Sequence, residues 1–223
     1  MMTSGAERDV VIEAEDAVLR GDLALPEAVR GLVVFAHGSG SGRLSPRNRH
    51  VAAALRERGL ATLLFDLLTS TEEAGELPSS GLRFDIPFLA SRLEAATRWA
   101  RAQTDLGRLP LGYFGASTGA AAAVIAAAGD PTVAAVVSRG GRPDLAAEAL
   151  ARMRAPTLLI VGGRDREVLE LNRWALERLG SREKDLVIVP GATHLFEERG
   201  ALDEVVRLAA DWLVRHASVG ATS

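Results

Sequence analysis

Residues 109–129 read LPLGYFGASTGAAAAVIAAAG. A short apolar run, Leu109 to Phe114, enters Gly115-Ala116-Ser117-Thr118-Gly119, and nine apolar residues from Ala120 to Ala128 follow without a break. Continuous apolarity without alternation suits a strand covered on both faces, and the alanine run that follows suits a buried helix. A strand that turns sharply into a helix is the repeating unit of a parallel sheet, because parallel strands are joined by crossovers.

The same alternation extends outward in both directions. Apolar runs recur as GLVVFAH (31–37), ATLLFDLL (61–68), VAAVVSRG (133–140), PTLLIVGGRD (156–165) and DLVIVPGATH (185–194). Segments of helical period lie between and after them: VAAALRERG (51–59), IPFLASRLEAATRWARAQ (86–103), PDLAAEALARM (143–153), VLELNRWALERLG (168–180) and ALDEVVRLAADWLVRH (201–216). Near the start, DVVIEA and AVLRGDLALP flank Glu15-Asp16 and predict an antiparallel hairpin. The expected fold is α/β: a mostly parallel, doubly wound sheet with an N-terminal antiparallel hairpin. Residues 1–223 are expected to form a single domain with its core at about 8–217, and the tail Ala217 to Ser223 to fray.

Composition narrows the function classes. Hydrophobic residues make up 48% and charged residues 25%, the balance of a soluble globular chain. Lys+Arg number 26 against 29 Asp+Glu, so no basic excess exists to neutralise a phosphate backbone, and nucleic acid is not expected as a partner. With Cys 0, disulfides, thiolate metal sites and cysteine nucleophiles are excluded. The N-terminal stretch carries Glu7, Arg8, Glu13 and Asp16 and has no signal-peptide core; no apolar run approaches the roughly 20 residues of a membrane span. No membrane association and a cytoplasmic location are therefore expected.

In a doubly wound sheet, ligands bind beyond the carboxyl ends of the strands, so the loops after each apolar run matter most. Gly115-Ala116-Ser117-Thr118-Gly119 is G-x-S-x-G between a strand and a helix, the setting in which that pattern presents a nucleophilic serine. Its plain alternative is a helix N-cap. A serine nucleophile needs a base, and of the four histidines only His194 follows a strand on the correct edge in a position to serve. His50 and His216 belong to helices, and His37, ahead of a glycine-rich turn, reads as a residue that organises its loop. Asp165 ends the fifth run, between Ser117 and His194 in the chain order Ser, Asp, His; its plain alternative is again an N-cap, and Asp66 is the fallback acid. Backbone N–H groups of Ser39, in His37-Gly38-Ser39-Gly40-Ser41-Gly42, and of Thr118, at a helix start, are candidate oxyanion donors.

HGSGSG, GASTG, GGRD and GATH, in that order, resemble the α/β-hydrolase superfamily, and most closely its dienelactone-hydrolase-like subgroup, which includes hydrolases fused to phosphoribosyltransferase domains. The resemblance implies a triad of Ser117, Asp165 and His194, oxyanion donors at Ser39 and Thr118, and neither metal nor organic cofactor. It implies a small-molecule ester as substrate and an acyl-enzyme on Ser117. Dienelactone hydrolase itself has a cysteine nucleophile, and this chain has serine there. The reading from a different class is a non-catalytic binding or partner module on the same fold. Gly141 to Ala155 leaves no room for a large cap domain, and the loop Thr69 to Asp85, with Pro78-Ser79-Ser80-Gly81, is the expected cover. Among the arginines of these loops (Arg43, Arg47, Arg139, Arg142, Arg164), Arg43 and Arg139 are candidate substrate-binding residues for an anionic acyl group, with salt bridging to Glu72, Glu73, Asp85 or Glu197 as the alternative.

Overall fold

The computed structural model describes residues 6–74 and 81–217. The expected frayed tail, apart from Ala217, and Pro78, Ser79 and Ser80 of the expected covering loop lie outside the described residues. Eight strands form one sheet: β1 Ala6–Glu13, β2 Val18–Leu25, β3 Gly31–Ala36, β4 Leu60–Phe65, β5 Leu111–Ala116, β6 Val133–Arg139, β7 Thr157–Gly162 and β8 Lys184–Val189. Their spatial order is β1-β2-β4-β3-β5-β6-β7-β8. The β1–β2 and β2–β4 pairs are antiparallel and every other pair is parallel.

Every residue of β3, β4, β5 and β7 is buried, which is why these segments are apolar throughout instead of alternating. Helices α1 (Pro46–Glu57) and α7 (Ala201–His216) cover one face, packing Val51, Leu55, Val205 and Leu213 against Val33, Phe35, Phe114 and Val137. Helices α3 (Ile86–Ala102), α4 (Thr118–Gly129) and α6 (Arg166–Arg178) cover the other, where Leu89, Leu93, Val124 and Ala175 meet Leu32, Val34, Tyr113 and Val136. On the first face the rings of Phe35 and Phe114 lie with centroids 5.0 Å apart, joining the two central strands.

The strand order places the site. From β3 the chain crosses through α1 to β4 on one side, then returns through α3 to β5 on the other. The loops after β3 and β5 therefore diverge, opening a crevice at their carboxyl ends. Residues 37–42 and Ser117 lie at its two lips.

Two expected boundaries differ. Helix α1 begins at Pro46, five residues before the expected start, because Ser45 caps it by accepting Asn48 N–H at 3.4 Å and proline suits the first helical turn. The expected helix 143–153 is instead a 3-10 turn, Pro143–Ala146, followed by α5, one turn at Ala147–Leu150. Nothing larger fills this segment, so no cap domain stands here. Within the expected covering loop, α2 (Ser70–Glu73) is closed by a reciprocal capping box of Thr69 and Glu72.

Phe114→Ala should lower stability by about 3–5 kcal/mol, the range for deleting a fully packed aromatic ring. A urea midpoint unchanged from wild type would mean that β5 is not held through this face.

Candidate active site

At the end of β5 the backbone of Ser117 takes φ 51°, ψ −123°. Ser117 and Phe196 are the non-glycine residues at positive φ among those described. Such a conformation persists only where its surroundings enforce it. The enforcement is close packing of backbone. A Cβ at Gly115 would lie 2.5 Å from Ala120 Cα, and one at Gly38 would lie 2.9 Å from Ser117 Cβ. At Gly119 a Cβ would collide with the carbonyls of Ala36 and His37. The Ser117 carbonyl accepts the N–H groups of Ala120 and Arg142, each at 3.1 Å, while Ser117 N–H donates to Arg139 O at 3.3 Å. The Ser117 side chain makes no capping bond to α4, so the plain alternative of an N-cap is not what this serine does.

Asp165 likewise opens α6 without a side-chain cap. Its Oδ2 lies 2.6 Å from His194 Nδ1. A carboxylate only accepts, so the hydrogen sits on Nδ1 and the lone pair is left on Nε2. Asp66, the fallback, is engaged elsewhere: it accepts Arg43 N–H at 2.8 Å and is ion-paired to the Arg43 guanidinium.

The loop carrying His194 has supports that sequence reasoning missed. Both carboxylate oxygens of Glu198 accept Thr193 N–H at 3.1 Å, and hydrogen bonding from the Thr193 side chain first, then from the backbone of Glu198 and Thr193, draws the Glu198 carboxyl below its usual range. Phe196, at φ 56°, is buried beneath the loop, and Gly140, at φ 50°, passes so near that a Cβ would lie 3.5 Å from His194 Nδ1. An acidic residue a few positions after GATH was the only available signal, and it fits a solvated surface equally well.

On the opposite lip, His37 is buried and fixed by two bonds: Nε2 accepts Leu67 N–H at 2.9 Å, so Nδ1 carries the hydrogen it donates to Gly38 O, also 2.9 Å away. It ties the glycine-rich turn to the segment after β4, as a loop organiser should. Ser39 N–H donates to Thr118 Oγ1 at 3.0 Å, which brings the two expected oxyanion residues into contact but occupies one donor. Thr118 N–H is the first of α4, where the helix leaves N–H groups without partners and its dipole favours negative charge.

The loop arginines divide sharply. Arg43 is held by Asp22 and Asp66, Arg142 grips Asp144 with two bonds at 2.9 and 2.8 Å, and Arg47 reaches Glu197 at 3.4 Å. Arg43 is thus committed to carboxylates that differ from those expected, and Glu72 belongs to Arg92, a buried arginine in α3. Arg139 is paired with no carboxylate among the described residues. Among those residues no group of three or more His, Asp or Glu side chains could hold a metal ion, and no helix is long and apolar enough to cross a membrane.

A sheet of this order, with a strained serine turn after β5 and a histidine–aspartate pair after β8 and β7, defines the α/β-hydrolase class. Residues 19–216 match the dienelactone hydrolase family, and the chain belongs to it. A dienelactone hydrolase from Anabaena variabilis is 53% identical, with a TM-score of 0.92 over 96% of this chain and 99% of that one. A cold-adapted esterase from an Arctic intertidal metagenomic library shares the fold, with a TM-score of 0.79 at 19% identity over 98% and 97% of the two chains. A putative phosphoribosyl transferase of Mycobacterium tuberculosis is 55% identical over 212 residues, covering 94% of this chain and 46% of that protein. The chain thus spans about half the length of that relative.

Burial holds the His37 imidazole below its ordinary value of 6.5. As pH falls through that value the unfolded chain binds a proton that the folded chain refuses, so stability declines from there down to the lowered native value. Between about pH 7 and about pH 5, wild type should therefore lose more stability in urea titrations than His37→Gln. Equal losses would assign the acid sensitivity to other groups.

Proposed function

We propose that this chain is a serine hydrolase that cleaves a small carboxylic ester through an acyl-enzyme on Ser117. The observation that carries the reading is the 2.6 Å bond between Asp165 and His194 on the same sheet edge as the uncapped serine turn. Ser117 Oγ attacks the substrate carbonyl and His194 Nε2 accepts its proton; the imidazolium then protonates the departing alcohol. Asp165 holds the ring with Nδ1–H turned inward and balances the charge that forms on it. Water, deprotonated by the same nitrogen, releases the acid.

The tetrahedral oxyanion is received by Thr118 N–H and Ser39 N–H. For Ser39 this requires its bond to Thr118 Oγ1 to yield to the substrate, a small rearrangement of a glycine-flanked residue. The chemistry extends to thioesters and lactones, whose carbonyls pass through the same intermediate. Family membership supports a hydrolase, and no part of the sequence works with a thiol, because Cys is 0.

A fluorophosphonate probe should add covalent mass to Ser117, and p-nitrophenyl acetate should be turned over. Ser117→Ala should keep the fold and lose roughly 10⁶-fold in kcat, whereas Asp165→Asn, which favours the wrong tautomer, should lose roughly 10⁴-fold. Absence of labelling would leave a non-catalytic binding module as the reading. A larger loss from Asp66→Asn than from Asp165→Asn would move the acid to Asp66.

A further inference from the structure

Arg139 is the last residue of β6, two positions beyond Val137, so its side chain emerges on the face covered by α1 and α7. It is 8% exposed. Nε and Nη1 are sealed from solvent and have no acceptor. Nη2 is not sealed and makes no hydrogen bond among the described residues, so this one corner of the guanidinium opens outward. Burial first, and the neighbouring Arg47 second, push its pKa down to about 10, with no carboxylate acting in the other direction. Arg47, in the first turn of α1, also has a sealed, unpartnered Nε. Its one carboxylate contact, to the exposed Glu197 at 3.4 Å, is long and open to solvent.

Two neighbouring guanidiniums with three sealed, unpartnered nitrogens are a costly arrangement, since buried charge is tolerated when it is paired and hydrogen-bonded. Their position is as telling as their state. The Arg139 carbonyl receives Ser117 N–H at 3.3 Å, Gly140 lies against His194, and Glu197 follows His194 by three residues. Arg139 thus ends the strand whose backbone holds Ser117, and Arg47 reaches the loop that carries His194.

We propose that Arg139 and Arg47 form a subsite for a doubly charged oxyanion, a phosphate monoester group carried by the ester that Ser117 attacks. Two positive charges with only a screened carboxylate nearby are balanced by a dianion and left half-compensated by a single carboxylate, and a guanidinium N–H forms a charge-assisted hydrogen bond with a phosphate oxygen. Placement on the substrate rests on the hydrolase reading above; the binding of the anion does not.

Inorganic phosphate is the probe, measured by calorimetry on the full chain, with acetate as the singly charged control. Saturable phosphate binding, weakened roughly 10- to 150-fold in Arg139→Met and reduced in Arg47→Met, is expected, the range following from one charge-assisted hydrogen bond. Without phosphate, Arg139→Met should melt no lower than wild type, because an unpaired buried charge has been removed. On esters, Arg139→Met should lose kcat/KM for the p-nitrophenyl ester of phosphoglycolate by a similar factor while sparing p-nitrophenyl acetate. No saturable phosphate binding, acetate binding as tightly as phosphate, or equal losses on both esters would each overturn the subsite, as would a fall in melting temperature with phosphate affinity unchanged. Phosphate binding that depends on Arg139 in a protein that takes no fluorophosphonate label would keep the subsite and sink the hydrolase.

Discussion

Ser117 stands where the backbone must reverse from β5 into α4 within one residue, at φ 51° and ψ −123°. That conformation requires the start of α4 to lie against the end of β5 and against the β3 exit, closer than any side chain at 115 or 119 would permit. Much else follows from this contact. The strand must be central, so that neighbours on both sides fix its end, and β5 sits between β3 and β6. The helix must approach the sheet closely, which the alanines at 120–123 allow because they add little bulk. With the reversal in place, the serine side chain is thrown clear of the helix it begins, and the first N–H of α4 faces the same crevice.

Around that turn, hydrogen bonds as well as packing position the other groups of the candidate site. His37 ties the glycine-rich lip to Leu67, Glu198 gathers the His194 loop through Thr193, and Asp165 fixes the ring. None of these bonds sits in a regular element. Each belongs to a loop after a strand, so the sheet provides the platform and the loops provide the chemistry.

The charges show the same division of labour. Arg92, with a side chain 1% exposed, is matched by Glu72 and by Asp16, joining α3 to α2 and to the hairpin. Arg43 is matched by Asp22 and Asp66 across the β2–β4 edge. Both pairings hold the scaffold. Arg139 has no carboxylate partner among the described residues and Arg47 has only the exposed Glu197, and a scaffold made only for stability would gain by replacing Arg139 with an apolar side chain.

The sequence by itself determined the fold class and the chain order of Ser117, Asp165 and His194, because both are written in local pattern: apolar runs buried on two faces, and short motifs where those runs end. It also determined that His37 would serve its loop, since a histidine ahead of a glycine-rich turn has backbone groups within reach. Helix limits were less legible, as at Ser45-Pro46, where a cap and a proline carry the start and the apolar period does not. Only the tertiary structure decided which arginines are paired. An ion pair joins residues distant in sequence, as Arg43 to Asp22 or Arg92 to Asp16, and any loop carboxylate satisfies the pattern equally well. Equally, only the tertiary structure distinguished Asp165 as a partner of His194 from Asp165 as a helix cap, because both roles use the same residue at the same position in the chain and differ in where its carboxylate points.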